Sequence, residues 1–449
     1  MANTVVIFGM AHSGKTTFCG YVYDHNMREK ENYDFEKYIE KTKKELGPYY
    51  DSSRDYGYLL EKNKDERLRN NRSGTSKQLH IKSIHSSESE FVIIDTPGAQ
   101  HKATQRQKGM YYGDIGVFCV EISKIIDERF LGNKKQFLTF MSTLVLWSKF
   151  KRKTIIVLTK MDVVNFSEEQ YKYACGIIDQ LCQEIDISCI IPISIDVKNR
   201  VGNNIFEKSP CMPWYQGSFL MPKIEEELNG IKIASNSEML LFYVDRNYMQ
   251  SSQYTGKSWR IKIIKGSLKK GQKIFLSPVA IQKEYFSVTA TIKSIRADLE
   301  SDEGIQYIDS ALEGDFVGID LCDIYFNRKR IDKHDIDTVC TTCGFPIDTK
   351  FSFSDEFSFM VGFQYLEKLD VDRQMDILWF GRAITFEIVS RKSTPEGIRV
   401  HAKLMNKYLA MPLDENGKYI IDCFIIKYDH NLNLDPFMEA KLLEIGGVE

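Results

Sequence analysis

A short apolar run, Thr4–Phe8, leads directly into Gly9-Met10-Ala11-His12-Ser13-Gly14-Lys15-Thr16, and a helix-compatible stretch follows. The octet matches GxxxxGK[ST] in the strand–loop–helix setting that the pattern's chemistry demands. Its glycines let successive backbone N–H groups turn inward around phosphate oxygens, and the helix N-terminus adds its dipole. Gly9, His12, Ser13 and Gly14 shape that cradle. Lys15 is expected between the β- and γ-phosphates, and Thr16 puts its hydroxyl on Mg²⁺, with Thr17 beside it in the cofactor site.

Four more runs, Phe91–Ile94, Gly116–Val120, Thr154–Leu158 and Cys189–Ile193, read as strands buried on both faces. Amphipathic stretches such as Asn133–Trp147 and Glu168–Glu184 lie between them, so the first 200 or so residues predict a parallel α/β sheet. Trp147 and Phe150 read as core at the end of one such stretch. A polar, helical segment, Asp24–Arg72, interrupts the early part with pieces at Phe35–Leu46 and around Tyr58–Leu68. A connection of that length inside a compact domain usually carries function.

Beyond about residue 230 the pattern turns all-β. Met239–Val244, Ser258–Ile264, Gln272–Leu276, Ser287–Ile295 and Phe316–Leu321 form one set of expected strands, with a hairpin at Gly266–Gly271 around Lys269 and Lys270. Phe357–Phe363, Met375–Phe380, Arg382–Val389, Arg399–Leu404, Tyr419–Lys427 and Phe437–Ile445 form a second. Two small barrels or sandwiches follow from this spacing, joined by the charged segment Asn327–Thr349. The expected layout is an α/β P-loop domain over 1–225 and two β-barrel domains over 233–330 and 350–449.

Three further strand ends carry chemistry. Asp95-Thr96-Pro97-Gly98 closes the second expected strand. Asp95 can hold Mg²⁺ through water, and the Gly98 N–H can sense a γ-phosphate. Thr159-Lys160-Met161-Asp162 closes another. The Asp162 carboxylate accepts two hydrogen bonds from guanine, Lys160 lies over the base, and the Thr159 hydroxyl can tie neighbouring loops together. Adenine would leave that acid poorly paired, which is where discrimination arises. Ser194 and Ile195 follow the next strand, where a backbone donor can meet the base oxygen. Four elements in this order, each at a strand end, predict a GTP/GDP site with Mg²⁺.

Composition narrows the partners. Of 449 residues, 60 are Lys or Arg and 62 are Asp or Glu, a formal net charge of −2. A generally basic DNA or RNA binder is not expected. No run approaches the roughly 18 apolar residues of a membrane span, and MANTVVIFGM has no basic leader, so a cytoplasmic protein is expected. The ten cysteines are scattered, with Cys19, Cys119, Cys175, Cys182 and Cys189 in or beside apolar runs, which suits a reducing compartment. Cys340 and Cys343 have half the spacing of a zinc site and no second half. His80, His85 and His101 read as solvated, and Lys257, Arg260, Lys262 and Lys265 as an ordinary solvated strand face.

The nucleotide motifs, together with Met212-Pro213-Trp214-Tyr215-Gln216-Gly217, Tyr56-Gly57-Tyr58, Asp65-Glu66-Arg67-Leu68-Arg69, Gly266-Ser267-Leu268-Lys269-Lys270-Gly271 and Leu312-Glu313-Gly314-Asp315-Phe316-Val317-Gly318, resemble the translational GTPases. The branch that is similar contains elongation factor 1A, the termination and ribosome-rescue GTPases and the GTPase subunit of sulfate adenylyltransferase. The resemblance implies a GTP/GDP switch in translation, with ribosome and tRNA or a protein translation factor as partners, in a monomer or heterodimer. It equally implies, as alternatives, a regulatory subunit of a metabolic enzyme or a GTP-dependent binding module. The family carries a His after DxPG that orients the attacking water; here the residues are Ala99, Gln100 and His101. Alanine cannot orient water, so Gln100 is the candidate catalytic residue. Asn70–Ser76 stands in for the family's switch-one Gly-Ile-Thr, with Thr75 the candidate for metal and catalysis and Ser76 next. GTP binding with slow or partner-activated hydrolysis is the resulting expectation.

Overall fold

The computed structural model describes residues 3–28, 32–61, 64–73, 79–85, 90–98, 106, 109–110, 112–127, 143–144, 147–148, 152–182, 185–231, 241–245, 259–276, 288–297, 306–326, 328–331, 343–379, 382–405, 409–413, 416–419, 423–427 and 438–445. Contacts divide the chain into two units, Ala2–Lys232 and Ile233–Glu449.

In the first unit a six-stranded sheet runs β2-β3-β1-β4-β5-β6. The strands are β1 (Asn3–Gly9), β2 (His80–His85), β3 (Glu90–Asp95), β4 (Ile115–Glu121), β5 (Thr154–Thr159) and β6 (Ile187–Pro192). All neighbours pair in parallel except β2, which runs antiparallel to β3 at the edge. Val5–Phe8 and Ile155–Leu158 are wholly buried, because helices cover a parallel sheet on both faces. Trp147 packs against Phe8 with ring centroids 5.2 Å apart. Phe150 lies outside the described residues, as does most of 133–147.

Helix α1 (Lys15–Met27) follows β1. The polar insertion then folds as α2 (Phe35–Leu46), α3 (Asp55–Leu60) and α4 (Lys64–Ser73). Asp34 caps α2 by accepting from Lys37 N at 3.0 Å, and Phe35, Ile39, Thr42 and Leu46 form its buried stripe. Gly20 brings α3 against α1: a Cβ there would lie 2.0 Å from the Tyr56 carbonyl oxygen. The short hairpin β7 (Ser194–Asp196) and β8 (Val201–Asn203) follows β6, and a helix at Leu220–Asn229 ends the unit.

The second unit is all-β. Leu241–Asp245, Trp259–Lys265, Phe316–Phe326, Val288–Arg296, Lys273–Leu276 and Cys343–Pro346 pair in a ring, each antiparallel to the next. Ile261, Ile263, Ile274, Leu276, Ile292 and Ile319 fill it. Glu356–Val361, Gly397–Leu404, Arg382–Thr394, Gln374–Trp379, Cys423–Lys427 and Met438–Ile445 close a second barrel around Phe357, Phe359 and Phe386. An α/β domain followed by β-rich domains is thus the fold.

Three local expectations are corrected. The segment 327–349 is no mere connector, since Cys343–Pro346 completes the first ring between two longer strands. Gly266–Gly271 is a corner and not a hairpin: Ser267–Lys269 pairs with distant Ser310–Leu312. Arg260 and Lys262 are not solvated; both are buried, and Lys262 Nζ donates to the Gly314 carbonyl at 2.7 Å. Lys257 and Cys340 lie outside the described residues.

Candidate functional site

The C-terminal ends of β1, β3, β5 and β6 converge on one cavity of about 480 Å³. This is where open parallel sheets bind ligands, beside the strand at which the order reverses. Ala11, His12, Gly14, Lys15, Thr16, Thr17, Thr96, Gly98, Thr159, Lys160, Asp162, Ser194 and Ile195 line it, together with Asp51, Ser53, Arg54, Gly57 and Asn71 from the insertion.

Gly9 and Ser13 stand beneath the loop. Gly9 has φ 142°, and a Cβ there would strike the Cys119 carbonyl oxygen at 2.3 Å and Ser13 Oγ at 2.6 Å. His12 adopts a left-handed conformation, φ 65°, at the loop's tip. Lys15 is buried, and its Nζ donates to the Met10 carbonyl at 2.6 Å and lies 3.4 Å from Ser13 Oγ. Burial pushes its pKa down, against the pull of Asp95. A buried cation under a glycine-bounded loop at a helix N-terminus is chemistry suited to a phosphate. Gly98 abuts the same loop so closely that a Cβ would lie 2.6 Å from Lys15 Nζ and 2.7 Å from Ala11 N.

Thr16 Oγ1 donates to Asp95 Oδ2 at 2.7 Å. Asp95 is 1% exposed, and its Oδ1 is buried with no hydrogen-bond partner. A hydroxyl beside a carboxylate with a spare oxygen is the hard-oxygen pair that Mg²⁺ favours. Among the described residues no cluster of three His, Cys, Asp or Glu side chains could hold a metal alone, so phosphate oxygens would have to complete such a site.

At the base end, Thr159 Oγ1 bonds the Ser13 carbonyl at 2.9 Å and the Val120 carbonyl at 3.2 Å, joining β4, β5 and the phosphate loop. Lys160, at φ 61°, pairs with Glu121 at 3.1 Å. Burial pushes the Glu121 carboxyl up, but Lys160 and Lys124 outweigh it and hold it below its ordinary value. Asp162 lies in the short helical turn Met161–Val164. Ser194 Oγ accepts from Asn203 Nδ2 at 3.0 Å.

The candidates Thr75 and Gln100 lie outside the described residues, with Ala99 and His101. Sequence reasoning missed the insertion's share of the cavity. The Arg54 guanidinium is held by Asn71 and by Glu61, whose side chain is fully buried and also accepts from Asn70 Nδ2 at 2.8 Å. A Cβ on Gly57 would lie 3.5 Å from Thr16 Cγ2 and 4.0 Å from Arg54 Nη2, which puts Arg54 on the Thr16 side of the cavity. The signal was the length and polarity of the insertion; nothing in it singled out Arg54. The reading of His80 as solvated is corrected: it is 4% exposed, with Nε2 3.0 Å from Glu66 Oε1 and Nδ1 3.4 Å from Asp95 Oδ2. Burial opposes its charge, but the two carboxylates prevail and push its pKa up to about 9.

A phosphate loop after β1, an acid after β3 and a polar base-end loop after β5 define a P-loop nucleotide-binding protein. The family model described as "Elongation factor Tu GTP binding domain" matches residues 2–317. The chain belongs to that family, as a divergent translational GTPase of the elongation factor 1A type. It is 26% identical over 307 residues to elongation factor 1-alpha of Methanocorpusculum labreanum, spanning 68% of this chain and 63% of that protein. It is 24% identical over 218 residues to sulfate adenylyltransferase subunit 1 of Pseudoalteromonas atlantica, spanning 49% of this chain and 42% of that one. The chain thus spans less than two thirds of the length of these relatives. The fold is also that of the S. cerevisiae Ski7 GTPase-like domain solved with GDP and inorganic phosphate, with a TM-score of 0.73 at 16% identity over 99% of this chain and 97% of that one.

Proposed function

We propose that this chain binds GTP and GDP and acts as a nucleotide-dependent switch in translation, in elongation, termination or ribosome rescue. The observation that carries the reading is the single cavity that Lys15, Thr16, Gly98, Lys160 and Asp162 line together. Lys15 and the loop amides hold the phosphates, Asp162 reads guanine, and Thr159 locks the two halves. Thr16 and Asp95 would hold Mg²⁺, which neutralises phosphate charge when bound. Ribosome and tRNA, or a protein translation factor, are the proposed partners, in the cytoplasm.

Hydrolysis is slow or partner-activated in this reading, because Ala99 occupies the place of the water-orienting His. Gln100 is the proposed substitute and Thr75 the proposed switch-one ligand. The same Ala99 favours a second reading, a binding module that holds GTP as a structural ligand or slow timer. Single-turnover hydrolysis with and without ribosomes, alongside GTP and GDP affinities, separates the two. Ribosome-stimulated turnover that falls in Gln100→Ala supports the switch. Tight GTP binding without stimulation supports the module, and no GTP binding refutes both.

A further inference from the structure

The β7–β8 hairpin brings Ser194, Ile195 and Val197 to the cavity. A hairpin tip is ordinarily the least constrained part of such an element. This one is gripped by one face of α1, through Tyr21, Asp24 and His25 at helical spacing. The Gly202 N–H donates to Tyr21 Oη at 3.0 Å, and a Cβ on Gly202 would lie 2.5 Å from the Tyr21 ring. His25 stacks on Phe206, just past the hairpin, with ring centroids 3.7 Å apart. Arg200 Nη2 donates to both Asp24 oxygens at 3.2 Å, and its guanidinium stands 4.2 Å from the centroid of the Phe35 ring on α2. Asp24 is wholly buried. Arg200 itself is left-handed, with φ 57°, a conformation that a residue other than glycine keeps only where its surroundings fix it.

The register carries that grip to the base. Gly202 pairs with Ile195, and Arg200 directly precedes β8, so holding these two residues holds the Ile195 backbone. The gripping helix opens at Lys15 in the phosphate loop, so one helix anchors both ends of the cavity. We propose that Arg200 is a positioning residue for guanine recognition: by clamping the hairpin to Asp24 it sets the backbone donor at Ser194 and Ile195 against the base oxygen. Reading of the oxygen is then controlled separately from reading of the ring N–H and amine by Asp162, which lies on a different loop. The inference rests on the GTP-binding reading above and deepens it.

The test uses three nucleotides on the full chain. The 6-thio analogue of GTP keeps the ring N–H and the amine but replaces the base oxygen with sulfur, a larger and weaker acceptor. Inosine triphosphate keeps the oxygen and lacks the amine. In the wild type, GTP is expected to bind about tenfold more tightly than the thio analogue, the upper range for one hydrogen bond. In Arg200→Ala that preference is expected to shrink by about fivefold, while the preference for GTP over inosine triphosphate changes less than about twofold. Arg200→Lys, which keeps the charge but not the two-pronged grip, is expected to fall between. Urea unfolding checks that each variant is folded. An unchanged thio preference in Arg200→Ala overturns the proposal, as does a wild type without that preference. Equal shrinkage of both preferences also overturns it, by reducing Arg200 to general support of the fold, and so does failure of both variants to fold. Absence of GTP binding in the wild type refutes the GTP reading itself, and the inference with it.

Discussion

The two flanks of the cavity are built by opposite means. The sheet flank presents loops at strand ends, held by backbone contacts: Gly9 and Gly98 leave no room for a Cβ, and Met161 N bonds the Ile193 carbonyl at 3.2 Å. The insertion flank is a side-chain network in which Arg54, Glu61, Asn70 and Asn71 hold one another, while Glu66 pairs separately with His80 of β2. The first flank is specified locally, loop by loop. The second depends on charges from separate helices finding each other, so one substitution disturbs several partners.

The strongest challenge to that contrast is Lys15→Ala. It removes the buried cation that reaches the Met10 carbonyl under the loop, while leaving the loop's backbone intact. Nucleotide affinity is expected to fall at least about a hundredfold, in line with the ~3 kcal/mol of a charge-assisted hydrogen bond. Equilibrium titration with a fluorescent guanine nucleotide measures it, and retained affinity would show that the amides suffice.

On the insertion flank, Arg54→Ala strips the counter-ion from Glu61, whose side chain is fully buried. Stability is expected to fall by about 3 kcal/mol in urea unfolding, the usual effect of breaking a buried pair. The double change Arg54→Met with Glu61→Leu is expected to recover most of that. A double variant as unstable as the single one would mean that packing, and not charge, sustains this flank.

Asp162→Ala sharpens the comparison at the base end, where a side chain does act. The GTP-over-ATP preference is expected to shrink by about tenfold to a hundredfold, with folding stability unchanged. Competition binding with the two nucleotides gives the ratio.

The smallest effect is expected with acid. Glu121 is held below its ordinary value of 4.5, so its contribution is present above that value and is lost as pH falls through the lowered one. Stability is expected to decline modestly below about pH 4.5 in the wild type, and Glu121→Gln is expected to remove that part of the slope. An unaltered slope would mean that the Lys160 pair adds nothing measurable.

The sheet flank was also the legible one. The apolar run Thr4–Phe8 marks a strand that spans Asn3–Gly9; Thr154–Leu158 marks one that spans Thr154–Thr159; Phe35–Leu46 is a helix to the residue. Such elements carry their period or their apolar run in their own residues. β2 was missed because His80, Lys82, Ser83 and His85 break any apolar run, and it gains strand form by pairing with β3. Cys343–Pro346 is too short, with Gly344 and Pro346, to announce itself; its two neighbours make it a strand. The insertion's share of the cavity was hidden for the same reason. Arg54, Glu61 and His80 are ordinary polar residues until tertiary structure buries them together.

The hairpin of β2 and β3 carries a further consequence for length variation. His80 meets Asp95 only in the present register, with His85 opposite Glu90. A slip of one residue turns the inward side chains of β2 outward. A slip of two keeps the face but sets His80 opposite another residue. Either one parts the imidazole from the acid, so a ladder of backbone hydrogen bonds acts as the gauge that aligns three titratable groups. Length variants around this hairpin are expected to inherit or lose the Glu66–His80–Asp95 chain as a unit.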